Sequence, residues 1–134
     1  MATQGVTELK HVYVMNERKI TAAENLTEAL MVSQNSSTND WELGDPSDAN
    51  SYSPSGIALS DIDVGDTGLI AGDGSVFETN LSSMTVGDAF YMGVGGIIIP
   101  IGDLTVGHKM TLVALAISTS AIIIAIKSTG INKP

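Results

Sequence analysis

The sequence predicts an all-β protein: a small antiparallel β-barrel or sandwich built from short hairpins, with an extended N-terminal arm and a long polar loop. Three observations predict it. A turn–strand–turn–strand unit recurs three times after residue 56, glycines punctuate runs of strand-forming residues at short-strand spacing, and the aliphatic residues concentrate in the same stretch. Of the 36 Leu, Ile, Val and Phe residues in the 134-residue chain, 27 lie in residues 57–134, so the core is expected there. One domain is expected, made of an arm (1–32), a polar loop (33–56) and a β core (57–134).

The repeat carries most of this reading. Asp61-Ile62-Asp63-Val64-Gly65-Asp66 is echoed by Ser83-Met84-Thr85-Val86-Gly87-Asp88 and by Asp103-Leu104-Thr105-Val106-Gly107-His108. Gly65, Gly87 and Gly107 are expected to adopt a positive φ that a Cβ would disfavour, and Val64, Val86 and Val106 to anchor each turn in the core. Strands are expected over 67–71, 89–92 and 109–114, each returning after a polar or glycine-rich turn as 75–79, 97–101 and 121–127. Periods near 20 residues also occur in solenoids, but three units without caps favour a compact sheet structure.

The first 56 residues are less regular. Lys10–Met15 (KHVYVM) reads as a strand, with Val12 and Val14 alternating against Tyr13. Thr21-Ala22-Ala23-Glu24 fits a helix capping box, whereas Leu26–Val32 matches the start of the third repeat; the turn-and-strand reading is preferred because the rest of the chain is β. Ser33–Gly56 is dense in Ser, Asn, Asp, Pro and Gly and is long for a connection inside a compact domain. Trp41, the only tryptophan, lies within it and either covers the core edge or enters a partner.

Fifteen acidic residues against six basic ones give a net charge of −9, which argues against direct binding of nucleic acid. The absence of cysteine excludes disulfides, thiolate metal sites and cysteine nucleophiles. Met1–Lys10 has neither a basic n-region nor an apolar h-region, so the cytoplasm, or a particle assembled there, is the expected compartment. Leu112–Ile126 is too short and too interrupted by Ser118-Thr119-Ser120 for a membrane helix and reads as two strands, so no membrane partner is expected.

No catalytic constellation is evident, and the protein is expected not to be an enzyme. His11 and His108 are isolated, and His108 replaces the aspartate of the earlier repeats. Asp61, Asp63 and Asp66 lack the glycine and bidentate glutamate of a calcium loop and read as turn residues. Gly93-Val94-Gly95-Gly96 precedes a strand instead of a helix, so a turn is expected there and not a phosphate cradle. No serine sits in a Gly-x-Ser-x-Gly elbow. No cofactor or metal is expected. What remains is a surface: Lys10, His11, Val12, Tyr13 and Val14, with Trp41, are the candidate partner contacts, because an edge strand can accept another strand. The alternative is that this strand completes the chain's own sheet.

Gly56-Ile57-Ala58-Leu59-Ser60-Asp61 with Val64-Gly65-Asp66, then Met84-Thr85-Val86-Gly87-Asp88-Ala89-Phe90-Tyr91-Met92-Gly93, then Val113–Ser118 with Ile122–Ile126, resembles the small capsid decoration (cement) proteins of tailed bacteriophages. The likeness covers about residues 56–127; the polar N-terminal half departs from it. The resemblance implies a β-barrel on the virion's capsid surface, a homotrimer bound to the major capsid protein at inter-capsomer junctions and stabilising the shell. A second expectation is a tail or head-fibre module that binds a host glycan, using Tyr13, Trp41 and Tyr52 as aromatic platforms together with calcium.

Overall fold

The structure, a computed structural model, describes residues 5–134; the first four residues of the expected arm lie outside the described residues. Among the described residues eleven strands form two antiparallel sheets. The strands are β1 (Leu9–Tyr13), β2 (Arg18–Thr21), β3 (Met31–Gln34), β4 (Trp41–Leu43), β5 (Gly56–Ala58), β6 (Thr67–Ala71), β7 (Val76–Thr79), β8 (Ala89–Met92), β9 (Ile98–Pro100), β10 (Lys109–Ala116) and β11 (Ala121–Asn132). The first sheet runs β1-β7-β11-β10-β8-β9 and the second β2-β6-β5-β3-β4. This is a sandwich and not a closed barrel.

Alternation along each strand builds the core. Met31, Ile57 and Ala71 of the second sheet face Phe77, Phe90, Met92, Val113, Ile122 and Ile124 of the first in one buried cluster. The alternate residues of the second sheet, Ile20, Val32, Ala58 and Ile70, point the other way. They form a smaller core with Leu26 and Ile62, over which Trp41 and Leu43 pack. The second sheet therefore buries residues on both of its faces. The core is not confined to residues 57–134 as expected: Val6, Leu26, Ala29, Met31 and Val32 are all buried. The low aliphatic count of the N-terminal half conceals this, because nearly every aliphatic residue between Ile20 and Val32 is spent on packing.

The repeat is a set of type II turns. Asp66 N–H donates to Asp63 O (2.9 Å), Asp88 to Thr85 (2.9 Å) and His108 to Thr105 (3.1 Å). The third residue of each turn is Gly65 (φ +87°), Gly87 (+95°) or Gly107 (+90°). A fourth copy stands at Thr27-Glu28-Ala29-Leu30, where Ala29 takes the glycine position at φ +73° and the Leu30 N–H donates to Thr27 O (3.2 Å). The ambiguous segment is thus turn and strand, with no helix.

Each turn is clasped to a neighbouring strand by a reciprocal pair of backbone hydrogen bonds. Gly65 donates to Ala22 O (2.8 Å) while Ala22 donates to Asp66 O (2.9 Å). Gly87 and Asp88 hold Ala116 in the same way, Gly107 and His108 hold Lys133, and Ala29 and Leu30 hold Ala58. Two of the turns are also joined back to back. Leu26 and Ile62 exchange both backbone bonds at 2.8 Å, Asn25 Oδ1 accepts from Val64 N–H (2.9 Å), and Asp61 Oδ1 accepts from Glu28 N–H (2.9 Å).

The valines do not anchor these turns. Val64, Val86 and Val106 are 60%, 68% and 68% exposed. In a type II turn the second residue stands at the outer corner, where the chain reverses and its Cβ points away from the strands. The anchor is the aliphatic residue just before each turn: Leu26, Ile62, Met84 and Leu104 are all buried. The Gly93–Gly96 segment is a 3-10 turn between β8 and β9. Gly96 in it is irreplaceable on steric grounds, since a Cβ there would lie 2.4 Å from Met31 O at φ +79°.

A single isolated bridge links the two outer segments of each sheet. In the second sheet a parallel bridge joins Ala22 to Trp41. In the first, Val6 pairs with Ile98 of β9 while residues 9–13 of the same segment pair with β7 at the other end. The Asn80 side chain fixes the corner between them. Its Oδ1 accepts from Thr7 (2.9 Å) and Glu8 (3.3 Å), and its Nδ2 donates to Gly5 O (3.3 Å). The segment expected as an arm is thus built into both sheets, with β1 in one and β2 and β3 in the other. Residues 33–56 are likewise tied down. They contain β4, buried Ser33 Oγ donates to Ser51 O (2.9 Å), and buried Thr111 Oγ1 donates to Tyr52 O (3.0 Å).

Two outcomes test this account. Gly87→Ala and Gly107→Ala should each lower unfolding free energy by about 1 kcal/mol, because a Cβ meets open space and only the backbone angle resists it. Val86→Ser and Val106→Ser should stay within about 0.5 kcal/mol of the parent, whereas Leu104→Ala should cost about 2–4 kcal/mol; urea denaturation reads all of these. Asn80→Ala should cost about 1–3 kcal/mol and speed hydrogen exchange at the Thr7 and Glu8 amides. Unchanged exchange there would contradict the latch.

Candidate functional site

β1 is the outermost strand of the first sheet, paired on one side with β7 only. Along Leu9–Tyr13 its other side faces solvent, so alternate backbone groups are free to accept another strand. The register slips between His11 and Tyr13: His11 pairs with Phe77 and Tyr13 with Val76, leaving Val12 without a partner. This bulge overturns the simple alternation expected for Lys10–Met15. Instead of facing opposite ways, Val12 and Tyr13 are 59% and 57% exposed, and Val14 is the residue that packs on the main core.

The neighbouring candidates have defined places. Lys10 is exposed and lies across from Glu78. His11 sets its ring edge-on to buried Phe77 at a centroid distance of 5.5 Å. Met15, 40% exposed, extends the apolar surface, while its backbone is held by buried Ser75: Met15 N–H donates to Ser75 Oγ (2.9 Å), which donates back to Met15 O (3.0 Å). Val12, Tyr13 and Met15 are therefore three exposed apolar side chains on and just after an edge strand whose exit is held by Ser75.

Trp41 does not join this group. It belongs to β4 of the other sheet, where it is half-buried over the smaller core. The Arg18 guanidinium stacks on its ring with Cζ 4.7 Å from the centroid. The three aromatics considered as a glycan platform are likewise separate. Tyr52 carries Lys109 Nζ over its ring at 5.5 Å, Trp41 carries Arg18, and Tyr13 alone lies on β1. Sequence reasoning missed Arg18 as the partner of Trp41. Nothing in the spacing of residues 18 and 41 signals a contact between the two outer strands of the second sheet.

The charge distribution is uneven. No Lys or Arg occurs between Lys19 and Lys109, while Glu24, Glu28, Asp40, Glu42, Asp45, Asp48, Asp61, Asp63 and Asp66 all lie in the second sheet and its loops. Lys10 lies on β1, and Arg18 and Lys19 lie on β2, the edge strand of that second sheet. Asp61, part of the weak calcium-loop pattern, serves the paired turns through Glu28. Among the described residues no three His, Asp or Glu side chains are gathered as a metal ion requires. A groove beside β8 and β9 opens as adjoining cavities of about 230 and 370 Å³ that share Asp88, Phe90 and Pro100. The Asp88 carboxylate at its rim accepts from Thr85 N–H (2.9 Å).

No protein-family model matches the chain, and no curated protein matches it in sequence. Among solved structures, the fold is similar to the head fiber gp8.5 N base of bacteriophage phi29, with a TM-score of 0.47 and 16% identity over 87% of this chain and 97% of that chain. The functional reading rests on the chain's own residues and surface.

Proposed function

We propose that the protein is a structural component of a phage virion that binds the outside of the assembled shell and acts by adhesion, without chemistry of its own. The observation that carries the reading is the β1 edge. An edge strand and its exit present exposed Val12, Tyr13 and Met15 beside free backbone groups. Edge strands with exposed apolar side chains invite pairing unless a partner covers them. The resemblance of residues 56–127 to capsid decoration proteins supplies the kind of partner, a major capsid protein subunit. It also supplies the oligomer, a homotrimer whose several weak contacts act together.

The surrounding surface suits that role. A net charge of −9 repels nucleic acid and keeps the protein off packaged or leaked DNA. The glycan-binding reading has less support at the residues first considered for it, since one face of Trp41 and one of Tyr52 are occupied by cationic side chains.

Co-sedimentation with shells of the source phage tests this. The parent protein should pellet with intact shells near one copy per shell subunit. Val12→Lys/Tyr13→Lys should bind at least about tenfold more weakly, with stability kept within about 0.5 kcal/mol because both side chains are mostly exposed. Equal binding by the double variant would remove β1 as the contact. Failure of the parent to bind shells, with retention on host polysaccharide, would move the protein to a fibre.

A further inference from the structure

Arg18 is the only arginine in the chain, and in a protein with fifteen acidic residues its guanidinium forms no ion pair or hydrogen bond among the described residues. It lies instead over the ring of Trp41, the only tryptophan, with Cζ 4.7 Å from the centroid. A guanidinium stacked on an aromatic face loses much of its rotational freedom while its N–H donors stay available along the fork. Arg18 also lines a cavity of about 370 Å³ with Asn16, Pro54, Ser55, Asp73 and Ile126. The apolar flanks, Pro54 and Ile126, suit an aliphatic stem, and Arg18 suits a planar anion at its tip.

The groups that compete for this cation are accounted for. Asp73, the carboxylate in the cavity wall, accepts from Ile126 N–H through Oδ1 (2.8 Å) and forms no ion pair with Arg18. Asn16 is committed through Nδ2 to Asp73 O (2.9 Å). Glu17 precedes Arg18 and Lys19 follows it, and with Asp73 these four charges sum to zero, so the excess of acid lies in the loops of the second sheet and not at this corner. Trp and Arg are also the side chains over-represented among energetically dominant interface contacts.

We infer that Arg18, held by Trp41 beside this cavity, is a docking anchor for the carboxylate of an acidic side chain on a partner protein, received as a bidentate pair. The inference rests on the shell-binding reading for its partner and deepens it, adding a polar anchor to the β1 edge. A planar carboxylate matches the guanidinium fork, and a short acidic segment carries far less charge than a nucleic acid, which the net charge of the chain repels.

The test uses Trp41 fluorescence of the full chain at low salt, titrated with an acetylated tetraglutamate amide, with the tetraglutamine analogue and with inorganic phosphate. The expected result is a saturable change with tetraglutamate alone. It should weaken about tenfold in Arg18→Lys, which keeps the charge and loses the fork, and vanish in Arg18→Gln. No response, an equal response in Arg18→Gln, or an equal response to phosphate would overturn the inference. Shell co-sedimentation separates the two readings. Weaker pelleting of Arg18→Gln than of the parent supports the anchor, and unchanged pelleting overturns it while leaving shell binding intact. A parent that binds tetraglutamate but no shell keeps the carboxylate site and removes the shell as its partner.

Discussion

The reciprocal backbone clasp at each left-handed turn is the interaction on which the rest of the architecture depends. A type II turn alone closes one hydrogen bond and leaves its outer corner in water. Here the residue with positive φ and the one after it grip a single residue of a neighbouring strand, so the turn becomes a continuation of the sheet. Ala22, Ala58, Ala116 and Lys133 are the four residues held in this way. Three of the turns use glycine at the critical position, where a Cβ would meet nothing and only the backbone angle matters. The fourth uses Ala29, whose methyl is buried in the main core. Burial there, worth about 0.8 kcal/mol for one methyl, offsets part of the roughly 1–2 kcal/mol that the left-handed conformation costs an L-residue.

Single bridges settle what happens at the sheet edges. Those at Ala22–Trp41 and Val6–Ile98 link the outer segments of each sheet. Each bridge removes a stretch of unpaired backbone that would otherwise invite association. Between Leu9 and Tyr13 the first sheet stays open, and there the bulge turns Val12 outward beside Tyr13. Apolar exposure therefore coincides with the unpaired edge, and the candidate partner surface follows from where the sheet does not close.

The chain's interior was legible wherever local chemistry decides. Strands over Thr67–Ala71 and Ala89–Met92 match the expected spans residue for residue, because glycine turns and aliphatic runs bound them sharply. Lys109–Ala116 and Ala121–Asn132 extend the expected final hairpin at the ends, where continued pairing, and not propensity, sets the limit. The turn valines were misread for a geometric reason: hydrophobicity marks a residue as suited to burial, but the corner position of a type II turn points it outward. The N-terminal segment was read as an arm whose strand either completes the chain's own sheet or meets a partner; the structure pairs it with β7 through backbone contacts that composition does not record.

Composition and repeat by themselves determined that this is an acidic, cysteine-free β protein whose turns require positive φ at Gly65, Gly87 and Gly107. These are properties of single residues and their immediate neighbours, which local chemistry decides. Only the tertiary structure decided that Trp41 closes a second core under Arg18, that Val12 and Tyr13 share an exposed edge, and that Asn80 latches the first strand. Each of these depends on which outer segments meet and where a register slips. Both are set by long-range backbone hydrogen bonds between segments up to 92 residues apart, as at Val6 and Ile98.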